Sequence, residues 1–305
     1  MDKRIKTLVC VLSIIVSGFC SDDYLKRIVV PSGTNEEQVL LSRYDNADNR
    51  YSLTGFFVDD AGNAYFQEEG TGKIKIFNEC GRYQRTIKDH KCKYLFLHEN
   101  DFIGQRQNND KTEELIFFSK DSGTLTYRQP LSLGAGEWAA YKIKNGMILF
   151  SSDGPGYGSK KAFDISKRAF VLQGLKEWDN SIEQKICSTY VEYGAEPLGK
   201  LNNYYLFWFP PPPKDTTYEY SLRAAKIESG NIAHIQTNFK RQDVGLAMQG
   251  LTGALVNNRY IYTVGHPKTK GSTLPEIWVT RIDLKVLMPV LWNTPPDTLV
   301  KIKTE

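Results

Sequence analysis

Residues 55–87 read GFFVDDAGNAYFQEEGTGKIKIFNECGRYQRTI. The stretch holds four short apolar runs. DDAGN separates the first two, EEGTG the second pair, and NECGR the last pair. Gly, Asn and Asp tolerate the positive φ that a short hairpin needs, so each break predicts a turn. The phrase recurs four more times. Its copies begin near Tyr94, Ala139, Ile186 and Thr252, and each turns first at a small polar cluster: Glu99-Asn100, Lys144-Asn145-Gly146, Asn202-Asn203 and Asn257-Asn258. A repeat of four short strands is the sequence mark of a β-propeller blade.

The helical reading fails nearly everywhere, because the runs are short, rich in Tyr, Phe, Val and Ile, and punctuated by Gly and Asn. Only residues 175–185 (LKEWDNSIEQK) suggest a helical turn. The fifth copy is read as strands throughout EIWVTRIDLKVLMPVLWN, and the fourth begins at ICSTYVEY. Residues 27–30 and 38–42 at one end and 299–303 at the other also read as strands. Paired in one blade, they would close the ring and remove its exposed edges. The expectation is an all-β propeller of six blades of four antiparallel strands, the N- and C-terminal strands closing the ring. Five blades is the alternative, with the terminal strands completing the fifth.

The stretch VDDAGNAYF followed by IKIFNECG resembles the NHL-type propeller repeat. The likeness covers one blade well and the others in outline. The whole chain resembles the uncharacterised exported six-bladed propeller lipoproteins of Bacteroidetes.

Residues 1–20 are expected to be a signal peptide and 21–305 a single propeller domain. Lys3, Arg4 and Lys6 precede an apolar stretch at 8–16 (LVCVLSIIV) that is too short to span a bilayer. Cys20 stands where a bacterial lipoprotein carries its lipid, although Phe19 occupies a position where a small residue is expected. The following Ser21-Asp22-Asp23 resembles the acidic export tag of Bacteroidetes surface lipoproteins. Ordinary cleavage after Cys20 is the alternative. The protein is thus expected to be exported, periplasmic or at the cell surface, and membrane-tethered only through a lipid on Cys20.

The formal net charge is +4. Without residues 1–20 it falls to about +2, and no run of Lys or Arg forms a patch, which argues against nucleic acid as a partner. Three cysteines remain beyond the signal: Cys80, Cys92 and Cys187. A disulfide between Cys80 and Cys92 would have to bridge the length of a strand, roughly 22 Å, where about 7 Å is the limit. Free or buried thiols are expected.

In a propeller the first-to-second and third-to-fourth turns share one face, and the remaining connections share the other. Here the first set is tight. The second is long: RQNNDKTE at 106–113, SSDGPGYGS at 151–159, PPPPKDTTYEY at 210–220 and HPKTKGSTLPE at 266–276. Function concentrates on loops held by a rigid scaffold, so the long-loop face is the expected working surface. Its candidates are His90 and His266 for ligand contact or base chemistry, and Arg106 as an anion clamp. Asp153 could meet a cation or sugar hydroxyl, and Trp138 and Tyr157 offer aromatic faces. Each has a plain structural alternative: solvated loop, turn or inter-blade wedge. The four prolines at 210–213 make a stiff ridge, either a docking element or a strand stop.

The reading is an exported binding or scaffolding propeller that uses this face for a protein or a glycan, with no cofactor and no metal site. The alternative is a metal-dependent hydrolase or lyase acting on a carbohydrate or lactone. Asp59, Glu99 and Glu192, near the ends of first strands, would be the channel carboxylates, and calcium the metal. No catalytic motif marks any residue.

Overall fold

The quoted stretch folds as its runs and turns dictate. Gly55–Val58, Ala64–Gln67, Lys73–Phe77 and Tyr83–Lys88 form one antiparallel four-stranded sheet. The computed structural model describes residues 24–43, 51–68, 70–109, 112–131, 139–144, 146–151, 160–171, 196–209, 218–228, 231–247, 254–267, 276–292 and 300–301. Blade two is Tyr94–His98, Asp101–Gln107, Glu113–Ser119 and Leu125–Leu131. Blade three is Ala139–Lys144, Met147–Ser151, Lys160–Asp164 and Ala169–Val171. Blade four is Glu196–Leu201, Tyr204–Phe209, Tyr218–Glu228 and Asn231–Lys240. Its described first strand is Glu196–Leu201; ICSTYVEY and 175–185 lie outside the described residues. The first strands stand side by side: blade five's beside blade one's, blade one's beside blade two's, blade two's beside blade three's, and blade four's beside blade five's.

Every first turn takes its tight bend at a positive φ: Gly62 at 80°, Glu99 at 52°, Gly146 at 71°, Asn202 at 53°, and Asn257 and Asn258 at 53° and 50°. Glu99 is the one residue here with no intrinsic tolerance for that region.

The ring has five blades, not six. Blade five takes Ala254–Val256, Tyr260–His266 and Glu276–Asp283 from the C-terminal part of the chain, and its outer strand from the other end. Leu25–Pro31 runs antiparallel to Glu276–Asp283 in unbroken register, from Leu25↔Ile282 to Pro31↔Glu276. The last strand, Val300–Lys301, joins a different sheet, adding two residues outside Asn231–Lys240 of blade four. The two terminal strands thus do not pair, and among the described residues no composite blade is formed. Residues 42–43 pair with 51–52 in a two-residue ladder.

A second correction follows from the first. With its outer edge filled by residues 25–31, blade five has no place for LKVLMPVLW as a fourth strand. That segment forms a helix, Leu284–Trp292. Leu284, Leu287 and Met288 recur at helical spacing and are buried against Tyr220 and Phe239 of blade four, while Lys285 and Val286 face out. The helix starts at Asp283, whose Oδ1 accepts the Lys285 N–H at 3.0 Å as an N-cap.

The core lies between blades. Successive side chains of a strand point to opposite faces, so Leu115 and Phe117 pack toward Ile148, Phe150 and Phe163 of blade three. Ile116 and Phe118 pack toward Tyr65, Ile74 and Ile76 of blade one. Both faces of an inner sheet are buried, so its strands read as continuous apolar runs; Ala64–Gln67 is buried at every position. Outer strands meet solvent and carry polar residues, as in Leu125–Leu131. The thiols agree with expectation: Cys80 is free and exposed, Cys92 free and buried. Cys187 lies outside the described residues. Gly104 leaves room for the Cys92 sulfur, which would lie 2.2 Å from a Cβ placed there.

Candidate functional site

The short-turn face is closed by its own hydrogen bonds. Asp59 is 7% exposed. Its Oδ1 accepts the N–H groups of Ala61 and Asn63 at 3.1 and 2.9 Å, and its Oδ2 accepts Asn63 Nδ2 and the Tyr65 hydroxyl at 3.0 and 2.9 Å. Lys120 of blade two approaches the same carboxylate at 3.8 Å. Burial, then the Asp59 charge and hydrogen bond, push the Tyr65 phenol far above its usual range. The VDDAGNAY phrase is therefore a self-capped turn. Asp59 has its oxygens committed and is not an open channel ligand.

Neighbouring turns are tied together in the same way. Lys120 N–H reaches Asn100 O, Ile165 N–H reaches Gly146 O, and Leu284 N–H reaches Arg259 O. Asn257 Nδ2 donates to Asp60 O at 3.2 Å, joining blade five to blade one. Glu99 is exposed at its turn, and Glu192 lies outside the described residues.

On the opposite side, second strands end in buried polar residues. Gln67 Nε2 donates to Asp89 Oδ2 at 3.0 Å and to the Cys92 carbonyl at 3.1 Å. Gln105 Nε2 donates to Glu113 Oε2 at 3.0 Å. Arg106 donates through Nε to Glu114 Oε1 at 2.9 Å, and the two form an ion pair. An anion arriving at Arg106 meets a guanidinium already neutralised by a buried carboxylate. Burial raises the Cys92 thiol strongly, with Asp89 adding to that and Arg106 opposing it. Arg106 and the 89–92 turn thus share one neighbourhood at the junction of blades one and two.

The two histidines are not free loop groups. His90 has φ 54° and Lys91 φ 60°, the paired left-handed residues of a tight turn whose Asp89 carbonyl accepts Cys92 N–H at 3.2 Å. His90 Nε2–H donates to Gly123 O of blade two at 2.7 Å, and its ring packs 4.8 Å from Phe118. It clamps two blades. His266 is the last residue of a blade-five strand and is 2% exposed, its Nδ1 3.0 Å from Pro267 O. Trp138, Asp153, Tyr157 and residues 210–213 lie outside the described residues. The structure therefore brings His90 and Arg106 to one blade junction and leaves His266 on another blade. Among the described residues no group of three or more His, Cys, Asp or Glu is placed to hold a metal.

One buried cluster was not foreseen. Lys75 Nζ lies 3.2 Å from Glu68 Oε1, with side chains 5% and 2% exposed. The ammonium also donates to the Asn35 and Gln38 carbonyls, and Glu68 accepts Leu40 N–H at 2.7 Å and Thr71 Oγ1 at 3.2 Å. The available signal was a lysine inside the third strand of a blade, at a position buried on both faces. Such a charge needs partners, and here they come from Glu68 of the same blade and from the segment that follows the N-terminal strand.

No protein-family model matches the chain, and no curated protein sequence matches it. Among solved structures it is similar to a member of the DUF4221 family from Bacteroides vulgatus, at 10% identity and TM-score 0.39, over 85% of this chain and 98% of that one. It is similar to streptogramin B lyase at 10% identity and TM-score 0.36, over 86% and 100% of the two chains. A third is the β-propeller domain of the Trilobed protease from Pyrococcus furiosus, at 8% identity and TM-score 0.33, over 87% and 93%. The five sheets described above establish the propeller without them. Among the described residues no helix is long and apolar enough to cross a membrane.

Proposed function

We propose that this chain is an exported binding or scaffolding propeller, tethered by a lipid on Cys20, that engages a protein or a glycan with its long-loop face. The observation that supports this most is the inequality of the two faces. One is spent on turn-to-turn contacts, with the Lys120 ammonium beside the Asp59 carboxylate and the Asn257 amide donating to the Asp60 carbonyl. The other carries the long connections, at 152–159, 210–217 and 267–275 between strands of blades three, four and five. At the corresponding connection of blade two the described polar groups form a supported floor, with Arg106, Glu113 and Glu114 held by partners. That floor suits a scaffold presenting loops better than a reacting centre, because none of its groups forms a nucleophile–base pair.

Exchanging residues 152–159 or 210–217 for Gly-Ser stretches of equal length tests the assignment. Binding to an immobilised panel of bacterial and host glycans and purified envelope proteins is expected to drop at least tenfold, with the urea midpoint unchanged. Binding that survives both exchanges and is instead lost on changing Asp60 or Asn202 would move the site to the other face.

A further inference from the structure

We infer that the membrane-tethered protein sits with its short-turn side toward the bilayer and its long-loop face pointing away from it. This rests on the lipid-anchor reading of Cys20 and adds to it a direction, which comes from how the N-terminal strand enters the ring.

The third strand of blade five runs from the long-loop side, after residues 267–275, to the short-turn side, where Leu284 N–H bonds the Arg259 carbonyl of the first turn. The N-terminal strand is antiparallel to it. Leu25 lies opposite Ile282, and Pro31 opposite Glu276 at the far end. One residue earlier, the Tyr24 carbonyl accepts the Asp283 N–H at 2.8 Å. The chain therefore enters blade five at its outer strand, on the short-turn side.

Only residues 21–24 separate Cys20 from that strand. Five Cα steps reach at most about 18 Å even when fully extended. A strand the length of Glu276–Asp283 spans roughly 26 Å. To lay the long-loop face on the bilayer, the tether would have to travel the height of the blade. It is too short for that. The entry point is also firmly held. Arg27 stacks 3.7 Å from the Trp278 ring centroid and donates to the Gln242 and Asp243 carbonyls at 2.5 and 3.0 Å. The first residues of the strand cannot peel away to lengthen the tether without breaking these contacts.

The exposed charges on this side are of both signs, Lys26, Arg82 and Lys285 but also Asp60 and Glu79. The occupant of the short-turn side is the bilayer that holds the chain's own lipid, whatever its headgroup charge. The consequence for function is that loops 106–113, 151–159, 210–220 and 266–276 meet ligands arriving from the medium.

The native thiol Cys80, exposed in a third-to-fourth turn, provides the probe. Full-length processed protein is placed in vesicles carrying a nitroxide on the lipid headgroup, with Cys187→Ser in the background. A dye on Cys80 is compared with a dye on Gln107→Cys, an exposed long-loop position, in a Cys80→Ser chain. Quenching at Cys80 is expected to exceed that at position 107 several-fold, in neutral and anionic vesicles alike. Equal or reversed quenching in protein that does partition into vesicles overturns the orientation and leaves the anchor standing. Protein that fails to partition, or that partitions equally as Cys20→Ala, overturns the anchor and the orientation with it.

Discussion

Blade one and blade five have the same four-strand plan and reach it by opposite routes. Blade one is continuous from Gly55 to Lys88, with each strand a hairpin away from the next. Blade five draws three strands from residues 254–283 and the fourth from residues 25–31. The phrase that finishes a third strand shows the difference. In blade one Asn78 Oδ1 accepts the N–H groups of Cys80 and Arg82, and the chain turns back into a fourth strand. In blade five Asp283 accepts Lys285 N–H, and the chain continues into a helix. A short polar acceptor at that position supports either outcome. What decides is whether the outer edge is still vacant.

The comparison breaks most visibly at the chain ends. Removing residues 24–40 deletes the outer strand of blade five together with the segment that Lys75 and Glu68 hold. It also strips Ile28 and Val30 from the apolar layer they share with Phe66, Phe77 and Val279, and leaves those three uncovered. The expected outcome is loss of the cooperative urea transition seen by tryptophan fluorescence. Removing residues 300–305 takes away a two-residue ladder, and should change stability by no more than about 0.5 kcal/mol. Equal effects at the two ends would mean that the N-terminal strand does not close the ring.

The next effect tests the clasp. Lys75→Met leaves Glu68 buried without its counter-charge, and should cost roughly 3–5 kcal/mol. Adding Glu68→Gln should recover much of that loss, because the stranded charge is then gone. A double variant no better than Lys75→Met would show that the lysine's bonds to the Asn35 and Gln38 carbonyls, and not the ion pair, hold the strap.

Weaker and more local effects are expected from one residue in each blade. Arg27→Ala removes a cation–π stack and two charge-assisted bonds that join residues 25–31 to the 241–244 turn, and should cost about 2–3 kcal/mol. Asp59→Ala strands the buried Tyr65 hydroxyl and opens the first turn of blade one, for about 1–3 kcal/mol. Hydrogen exchange separates the two. Arg27→Ala should speed exchange across blade five and the end of blade four, whereas Asp59→Ala should speed it within residues 59–67.

Much of this architecture is legible in the chain because propeller hairpins are local. Gly62, Gly146, Asn202 and Asn257 announce the first turns through the backbone conformation they permit. The blade count is not legible. The run LKVLMPVLW is apolar enough for a strand, and only the non-local arrival of residues 25–31 forces it into a helix. The candidate site fares the same way. Loop lengths can be counted, but the exposure of His266 and the Glu114 partner of Arg106 depend on register and on a neighbouring strand. Asp59 shows the converse. A motif that resembles a ligand-bearing carboxylate is explained in full by the turn it closes.

The smallest effect concerns how the two Asp-capped third-strand ends respond to acid. In blade three, the Lys167 N–H and then the Ser166 hydroxyl hold Asp164 at about 2. In blade five, Arg259 and then Lys285 N–H hold Asp283 below the usual carboxylate range. A carboxyl whose folded value is depressed contributes stability that is present above its unfolded value, about 3.9, and fades as pH falls through the folded one. Both contributions should therefore be intact at pH 5 and decline below about pH 4. Asp283→Asn keeps a capping side chain but removes the charge, so it should lower stability slightly at pH 7 and converge on the parent protein as pH falls below about 4, which flattens the acid limb of stability against pH. Asp164→Asn should flatten the same limb further down, toward pH 2. If the Asp283 variant instead lost stability equally at every pH, the carboxylate would matter as a packed shape and not as the charge that starts the helix and pairs with Arg259.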